Sequence, residues 1–589
     1  MNLLSRIREL LSPRERRQAW TLSVLMLFGM ALEMLGVGMV IPVVGLLVQG
    51  DGAAPHPMLA AALDALGHPD RTTLVVGAMA ALVLIYACKN LYLAFLYHRQ
   101  ARFAYGVQAG MSQRLFSTYL QQPYLFHLQR NSAQLIRNAT TESNLFASHA
   151  LMPVMLLVTE GLVATGLVLL LLVFEPLGAL LVGGVIGLVA LGFFRYTRAR
   201  ILRWGGERQF HEGKRLQHLQ EGLGGVKDAL LLGRAAEFLA RYAVHNKGSA
   251  QAARHQESLK QMPRLGLELL AIAALATLVS TMVLRGQSTA SVMPILALFA
   301  ATAFRLLPSV NRMLGAMQTL RYARPVVDTL YQEARLDAPA DGAASMPAQG
   351  PLVLRSQMDV ESVGFRYPMA AQPALHDIRL TIRRGETVGF IGTSGSGKST
   401  LIDVILGLLP PDTGRIAVDA RDIRNHLRSW QDQIGYVPQS IFLTDDSLRR
   451  NIAFGLPNEK IDEAAVQAAV RAAQLESLVA SLPEGLDTPV GERGTRLSGG
   501  QRQRIGIARA LYHGPSVLVL DEATSALDVG TEADVMAAIT ALRGQKTILI
   551  VAHRLSTVAQ CDRIFRFDHG RLVAEGTPTE MLALQHSDT

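Results

Sequence analysis

The chain has 589 residues, enough for several domains, and 49% of them are hydrophobic. Its formal net charge of +9 would suit nucleic acid, but the arginines gather beside apolar stretches, which fits membrane topology and argues against a soluble nucleic-acid-binding protein. The two cysteines, Cys88 in an apolar stretch and Cys561 far from it, give no disulfide framework.

In chain order, the first 19 residues are basic and amphipathic (Arg6, Arg8, Arg14, Arg16, Arg17), and the apolar stretch after them is too long for a signal-peptide core. Six stretches have the roughly twenty apolar residues that cross a bilayer. They are Ala19–Val48, Leu74–Tyr97, Leu145–Phe174, Leu177–Phe194, Leu265–Leu284 and Ala290–Pro308. Lys and Arg crowd the N-terminus and the 98–144 and 195–264 connections, while 49–73, 175–176 and 285–289 carry almost none. The positive-inside rule then predicts both termini on the cytoplasmic side. The basic connections read as helix, for example Arg198–Leu219, so helices are expected to run well beyond the membrane. Residues 57–67 form a short helical pattern whose apolar face suits the outer membrane surface. Residues 336–352, rich in Ala, Pro, Asp and Gly, read as a linker. It divides a six-span membrane domain, residues 1–335, from residues 353–589, where strand-like and helix-like segments alternate as in an α/β nucleotide-binding domain.

In this second part, Gly392-Thr393-Ser394-Gly395-Ser396-Gly397-Lys398-Ser399-Thr400 is a phosphate-binding loop. Its glycines let backbone N–H groups curl around a polyphosphate, and Lys398 adds positive charge. A strand-like run, Thr387 to Ile391, enters it and a helical pattern, Leu401 to Leu409, leaves it, pointing the positive end of a helix dipole at the phosphates. Val517-Leu518-Val519-Leu520-Asp521-Glu522 is a buried strand ending in two carboxylates. Asp521 suits Mg²⁺ and Glu522 suits the attacking water.

Between these lies Leu497-Ser498-Gly499-Gly500-Gln501, followed by an Arg-rich helical stretch, and here the sequence resembles the ATP-binding cassette (ABC) family. The resemblance implies ATP and Mg²⁺ as cofactors, with Ser399, Gln439 and Asp521 at the metal. It also implies Tyr367 as the aromatic stacked on adenine, Ser525-Ala526-Leu527-Asp528 as the D-loop, and His553 beside Glu522 and Gln439 in hydrolysis. In ABC exporters of this plan, a polytopic α-helical membrane domain precedes an α/β P-loop NTPase domain. The cytoplasmic extensions end in coupling helices, for which 123–138 and 226–242 are the candidates. The family's signature loop, Ser498 to Gln501, completes the site of a facing cassette. One phosphate loop and one signature therefore predict a homodimer with two equivalent sites, in a bacterial inner membrane with the cassettes cytoplasmic.

Ionisable residues inside spans are costly and mark function by default. Lys89 and Arg305 lie about 16 residues, roughly 24 Å, from the outer ends of their spans, and Arg264 starts span five at a similar level. Three cations at one depth suit a phosphate or pyrophosphate headgroup. Snorkelling toward the interface is the plain alternative for all three, and Glu33, Glu160 and Glu268 are candidate neutralising partners. The segments Ala31-Leu32-Glu33-Met34, Met262-Pro263-Arg264 and Phe304 to Arg312 resemble lipid-linked oligosaccharide flippases of the bacterial protein-glycosylation (PglK) type. That resemblance implies ATP-driven movement of a polyprenyl-pyrophosphate glycan from the cytoplasmic to the outer leaflet. It also implies partners among membrane lipids and the lipid-linked glycan, with no nucleic acid. The alternative is an exporter of the same architecture for another lipid, such as a lipid A-like one, or for hydrophobic drugs.

Overall fold

The computed structural model describes residues 2–48, 71–174, 176–284, 289–336, 352–523, 529–552 and 555–581. The chain divides into two units: Met1–Gln122 with Gln129–Ala338, and Pro123–Leu128 with Pro339–Thr589. The expected helix at 57–67 and most of the expected linker lie outside the described residues.

The first unit is helical. A short amphipathic helix α1 (Leu3–Leu10) leads into α2 (Pro13–Val48), then α3 (Arg71–Gln121). The short α4 (Tyr124–Gln129) follows in the chain and, up to Leu128, belongs to the second unit. The stretch 132–151 alternates α-helical turns with π-helical ones at Asn138–Glu142 and Ala147–Leu151 before α5 (Met152–Phe174). Next come α6 (Pro176–Gly224), α7 (Val226–Leu231), α8 (Ala235–Leu284), α9 (Thr289–Tyr322) and α10 (Arg324–Glu333). The expected spans fall on α2, α3, α5 with the turn before it, α6, α8 and α9. Among the described residues, Pro13–Gly36, Val75–Gln121 and Ser132–Leu169 are long and apolar enough to cross a membrane. Helix α3 continues 24 residues past Tyr97, about 36 Å at 1.5 Å per residue, and α6 and α8 carry comparable extensions.

Lipid gives helices no hydrophobic drive to associate, so small residues and paired polar groups hold them together. On α2, Gly29 lies against Tyr92, Leu93 and Leu96 of α3, and the Tyr92 hydroxyl donates to the Leu25 carbonyl at 2.8 Å. About two turns further along, Gly36 lies against Tyr86 and Lys89. Where α6 crosses α9, a Cβ on Gly205 would sit 2.4 Å from the Tyr322 carbonyl oxygen, so only glycine fits.

The second unit has two sheets. Strands β1 (Gln357–Phe365), β2 (Leu375–Arg383), β4 (Thr413–Val418) and β5 (Arg421–Asp422) form an antiparallel sheet in the order β2-β1-β4-β5. The larger sheet runs β10-β9-β3-β8-β7-β6. Its strands β3 (Thr387–Gly392), β6 (Ile434–Val437), β7 (Val517–Asp521), β8 (Thr547–Val551) and β9 (Arg563–Asp568) are parallel. Strand β10 (Arg571–Gly576) closes the edge antiparallel to β9. Parallel strands are covered on both faces, which is why β7 and β8 read as unbroken apolar runs while β1 alternates. Leu125 of α4 packs against the core of this unit. In the same core Trp430 is fully buried, its indole N–H donating to the Ile405 carbonyl at 2.7 Å. Trp430→Ala should therefore cost about 3–5 kcal/mol and lower the cassette's unfolding transition by roughly 10 °C in calorimetry of the whole chain. An unchanged transition would contradict this burial.

Candidate nucleotide-binding site

Ligands in open α/β sheets gather at the carboxyl ends of the parallel strands, and the loop 392–400 and the carboxylates Asp521 and Glu522 lie at the ends of β3 and β7. Strand β3 ends at Gly392, where φ is +150° and a Cβ would stand 2.2 Å from the Phe567 carbonyl oxygen. The loop then turns through Gly395 (φ +79°) and Gly397 (φ +101°), and a Cβ on Gly397 would be 2.8 Å from the Ala374 carbonyl. Helix α11 (Lys398–Ile405) starts directly after. Thr393, Ser394, Gly395 and Ser399 are exposed, whereas Lys398 is buried. Its ammonium donates to the carbonyls of Gly392 and Thr393, both at 2.9 Å, and to Ser396 Oγ at 3.3 Å. Burial lowers the proton affinity of this amine, while the charges of Glu522 and Asp521 act in the opposite sense. A loop of this shape, with exposed N–H groups and a lysine folded over it, fits a nucleotide polyphosphate.

Strand β8 separates β3 from β7, whose end carries Asp521 and Glu522. Tyr436 on β6 donates to Asp521 Oδ2 at 3.5 Å. Val437 pairs with Leu520, so the chain leaving β6 carries Gln439 to Glu522, where its amide donates to Oε2 at 2.7 Å. Glu522 has φ of +51°, a left-handed conformation rare for a residue with a Cβ, and its N–H donates to the Val551 carbonyl at 3.1 Å. The Tyr367 hydroxyl bonds Thr400 Oγ1 at 3.2 Å, with its ring edge-on to Phe365.

Asp403 escaped the sequence reading. Burial and then the charge of Asp521 push its carboxyl up to about 6. An acid inside the apolar run Leu401-Ile402-Asp403-Val404-Ile405 was the available signal. Tyr124 and Tyr436 feel the same carboxylate, and burial raises both phenols.

The signature residues cap a helix, α12 (Gly499–Leu511). Ser498 Oγ accepts from the Gln501 N–H at 3.2 Å and Gln501 Oε1 accepts from the Ser498 N–H at 2.8 Å, a reciprocal capping box. Arg502 clamps the preceding loop through the carbonyls of Gly494 and Leu497. Ser498 is exposed, and Gly499, Gly500 and Gln501 are part-exposed beside it. The D-loop residues Ser525 to Asp528, and His553, lie outside the described residues.

In the helical unit, Lys89 meets Glu33 at 3.3 Å, and both side chains are at most 5% exposed. Lys89 also lies 4.1 Å from the Tyr86 ring centroid. Arg264 is exposed and bonds Glu268 one helical turn on, at 2.8 Å. Arg305 lies on α9 and its side chain is outside the described residues. Glu160 holds Arg312 in a bidentate pair at 2.6 and 3.1 Å, a partnership the sequence did not disclose.

The profile of the ABC transporter family matches residues 375–525. An ATP-dependent lipid A-core flippase of Cupriavidus pinatubonensis is 32% identical over 484 residues, 80% of each chain. One of Aromatoleum aromaticum is 30% identical over 550 residues, 90% of each chain. A putative multidrug export ATP-binding/permease protein of Staphylococcus aureus is 42% identical over 246 residues, 42% of each chain. Among solved structures, a bacterial Atm1-family ABC exporter with ATP bound has the same fold, with a TM-score of 0.77 at 24% identity over 97% of this chain and 96% of that one.

Glu522→Gln should leave ATP binding intact and slow hydrolysis at least about a hundredfold, since a positioned base contributes on that order. Wild-type turnover would remove Glu522 from the chemistry. Lys398→Ala should weaken ATP binding roughly tenfold or more in a fluorescent-nucleotide titration. Unchanged affinity would contradict the loop assignment.

Proposed function

The chain belongs to the ABC transporter family, as a half-transporter of the exporter type, and we propose that it moves an anionic glycolipid of the lipid A kind across a bacterial inner membrane. Hydrolysis of ATP, with Mg²⁺ as its usual partner, drives transport in this family. The observation that carries the substrate reading is coverage. The lipid A-core flippases match over 80–90% of this chain, so the likeness reaches far into the helical unit as well as the cassette.

The polyprenyl-pyrophosphate reading rested on short segments and on Lys89, Arg264 and Arg305 as a basic belt. Two of those cations have carboxylate partners within their own unit, which leaves less unneutralised charge for a pyrophosphate. Lipid A-type cargo is thus the better supported of the two. We retain Arg305 as the cation to test first.

In the cassette, 353–589, the loop N–H groups from Gly392 to Thr400 and the Lys398 ammonium would hold the phosphates, with Tyr367 at the base. Ser399, Asp521 and Gln439 would hold Mg²⁺, whose charge stabilises the transferring phosphoryl group. Glu522 would orient and deprotonate the attacking water, held by Gln439 so that base and metal ligand respond together. Asp528 and His553 complete this assignment.

Ser498, Gly499, Gly500 and Gln501 would serve the site of a second copy, in keeping with their outward presentation at the start of α12. Leu230, Leu231 and Leu232, beside α7 in the stretch assigned to coupling, are exposed to 66–81%, which supports an apolar partner surface there. Both termini and the cassettes would face the cytoplasm, with residues 1–335 as membrane domain and 336–352 as linker.

The test is flipping in proteoliposomes of a fluorescent lipid A-core glycolipid and, separately, of a polyprenyl-pyrophosphate saccharide, with Glu522→Gln as the inactive control. ATP-dependent movement of the first by wild type is expected. Movement of the second alone, or of neither while ATP is hydrolysed, would overturn the reading. Arg305→Ala should spare detergent-solubilised hydrolysis while slowing flipping; unaffected flipping would return Arg305 to the snorkelling explanation.

A further inference from the structure

Where the extensions of α6 and α8 run side by side beyond their apolar stretches, three half-buried histidines meet. His211 and His218 stand on α6 and His245 on α8. His211 Nδ1 lies 3.0 Å from His245 Nδ1. The His218 ring stacks on that of His245, with centroids 5.4 Å apart and planes 30° apart. Phe210 sets its ring edge-on to both His211 and His245, at 5.4 and 5.8 Å. The His211 ring also lies on the backbone of α8, since a Cβ on Gly248 would stand 2.5 Å from its Cε1.

Two imidazole nitrogens at hydrogen-bond distance must be one N–H and one bare lone pair. A neutral pair satisfies this when one ring carries its proton on Nδ1 and the other on Nε2. The bond survives, charge-assisted, when a single further proton makes one ring cationic. A second proton puts N–H on both facing atoms, and the contact becomes a repulsion between two cations. Gly248 and Phe210 leave the His211 ring little room to turn, so that repulsion is relieved by parting α6 from α8.

The surrounding charges do not absorb a second proton. Burial, and then the charges of His211, His218 and Lys214 on α6, lower the proton affinity of His245. Glu221 Oε2 is 3.1 Å from His218 Nδ1. Glu212 is taken by Arg215 and by the Ser249 hydroxyl at 3.0 Å. Arg137, from the stretch before α5, reaches α6 beside Gly213, donating to the Gln209 carbonyl at 3.2 Å and facing Glu142. The short α7 carries Lys227 and Asp228, and on α8 itself Arg241 and Lys247 are exposed. Among the described residues, no carboxylate forms an ion pair with His211 or His245. With His245 held below the ordinary histidine value of about 6.5, its contribution to the pairing of α6 and α8 is complete above that value and is lost as pH falls through the lowered one.

We propose that His211 and His245 are a proton-operated latch between α6 and α8, closed by one proton between the facing Nδ1 atoms and released when both rings are cationic. The latch uses contacts inside the helical unit alone and is independent of the cargo. On the topology proposed above, its signal is acidification of the cytoplasm.

The experiment is hydrogen exchange by mass spectrometry on the full chain in lipid nanodiscs, with EDTA present, between about pH 7.5 and 5.5. Labelling times are scaled to the pH dependence of intrinsic amide exchange, for wild type, His211→Asn, His245→Asn and His218→Asn. In wild type, peptides within 205–222 and 238–252 should lose protection at least about fivefold as pH falls, the effect of one hydrogen bond of ordinary strength. His211→Asn and His245→Asn replace one titrating ring by a neutral amide, and their protection should be the same at both ends of the range. His218→Asn leaves the facing pair in place and should keep the pH response. The two pair variants are independent, so one that folds suffices. Wild-type protection that does not change with pH would overturn the proposal. So would a response of wild-type size in His211→Asn or His245→Asn, or its disappearance in His218→Asn.

Discussion

The cassette depends on a backbone approach that no side chain can enter. Gly392 ends β3 against the carbonyl of Phe567, the residue paired with it on the parallel neighbour β9, and Gly397 ends the loop against the carbonyl of Ala374. These two contacts fix both ends of the phosphate loop to different parts of the sheet structure, and α11 is aimed by them. A Cβ would stand 2.2 Å from the Phe567 carbonyl oxygen at the first position and 2.8 Å from that of Ala374 at the second, so the backbone would have to shift at either. Lys398 folds back over the loop, where the carbonyl oxygens of Gly392 and Thr393 hold its ammonium. Glu522 adds a second constraint. Its left-handed backbone costs about 1–3 kcal/mol, offset by the bonds from Gln439 and to Val551, and it turns the carboxylate off the line of β7.

In the helical unit the corresponding constraint is charge. Lys89 and Glu33 sit where an isolated ion would cost several kcal/mol, and each makes the other tolerable. Their contact also fixes the register of α2 on α3, because Gly36, one turn from Glu33, must lie where the Lys89 stem passes. Glu160 and Arg312 do the same for α5 and α9. Such pairs are specificity devices first.

Legibility followed the range of the interaction. The strand–loop–helix around Gly392 was readable because all its determinants lie within some fifteen residues, and the continuation of α3, α6 and α8 beyond the apolar stretches was readable from their helical pattern. Glu33 stood among the candidate partners of the cations Lys89, Arg264 and Arg305, whereas the pairing of Glu160 with Arg312 joins residues 152 positions apart and had no local sign. Asp403 looked like an ordinary helix residue, since its shift comes from burial beside an acid on another strand. The π-helical turns at 138–142 and 147–151 change the hydrogen-bond step without changing composition, so no pattern announced them. Cargo was least legible: substrate cations are recognised by lacking partners, and partners are contributed by distant residues.

The claim on which the account turns is that each nucleotide is held between two copies of the chain. The direct measurement is disulfide formation in a Glu522→Gln background with Cys88→Ala and Cys561→Ala, carrying Ser394→Cys in the phosphate loop and Ser498→Cys at the signature. On mild oxidation with ATP present, a product of twice the mass of one chain should appear on a non-reducing gel and vanish when ATP is withheld. ATP binding with no linked pair, or linkage only within one chain, would contradict it.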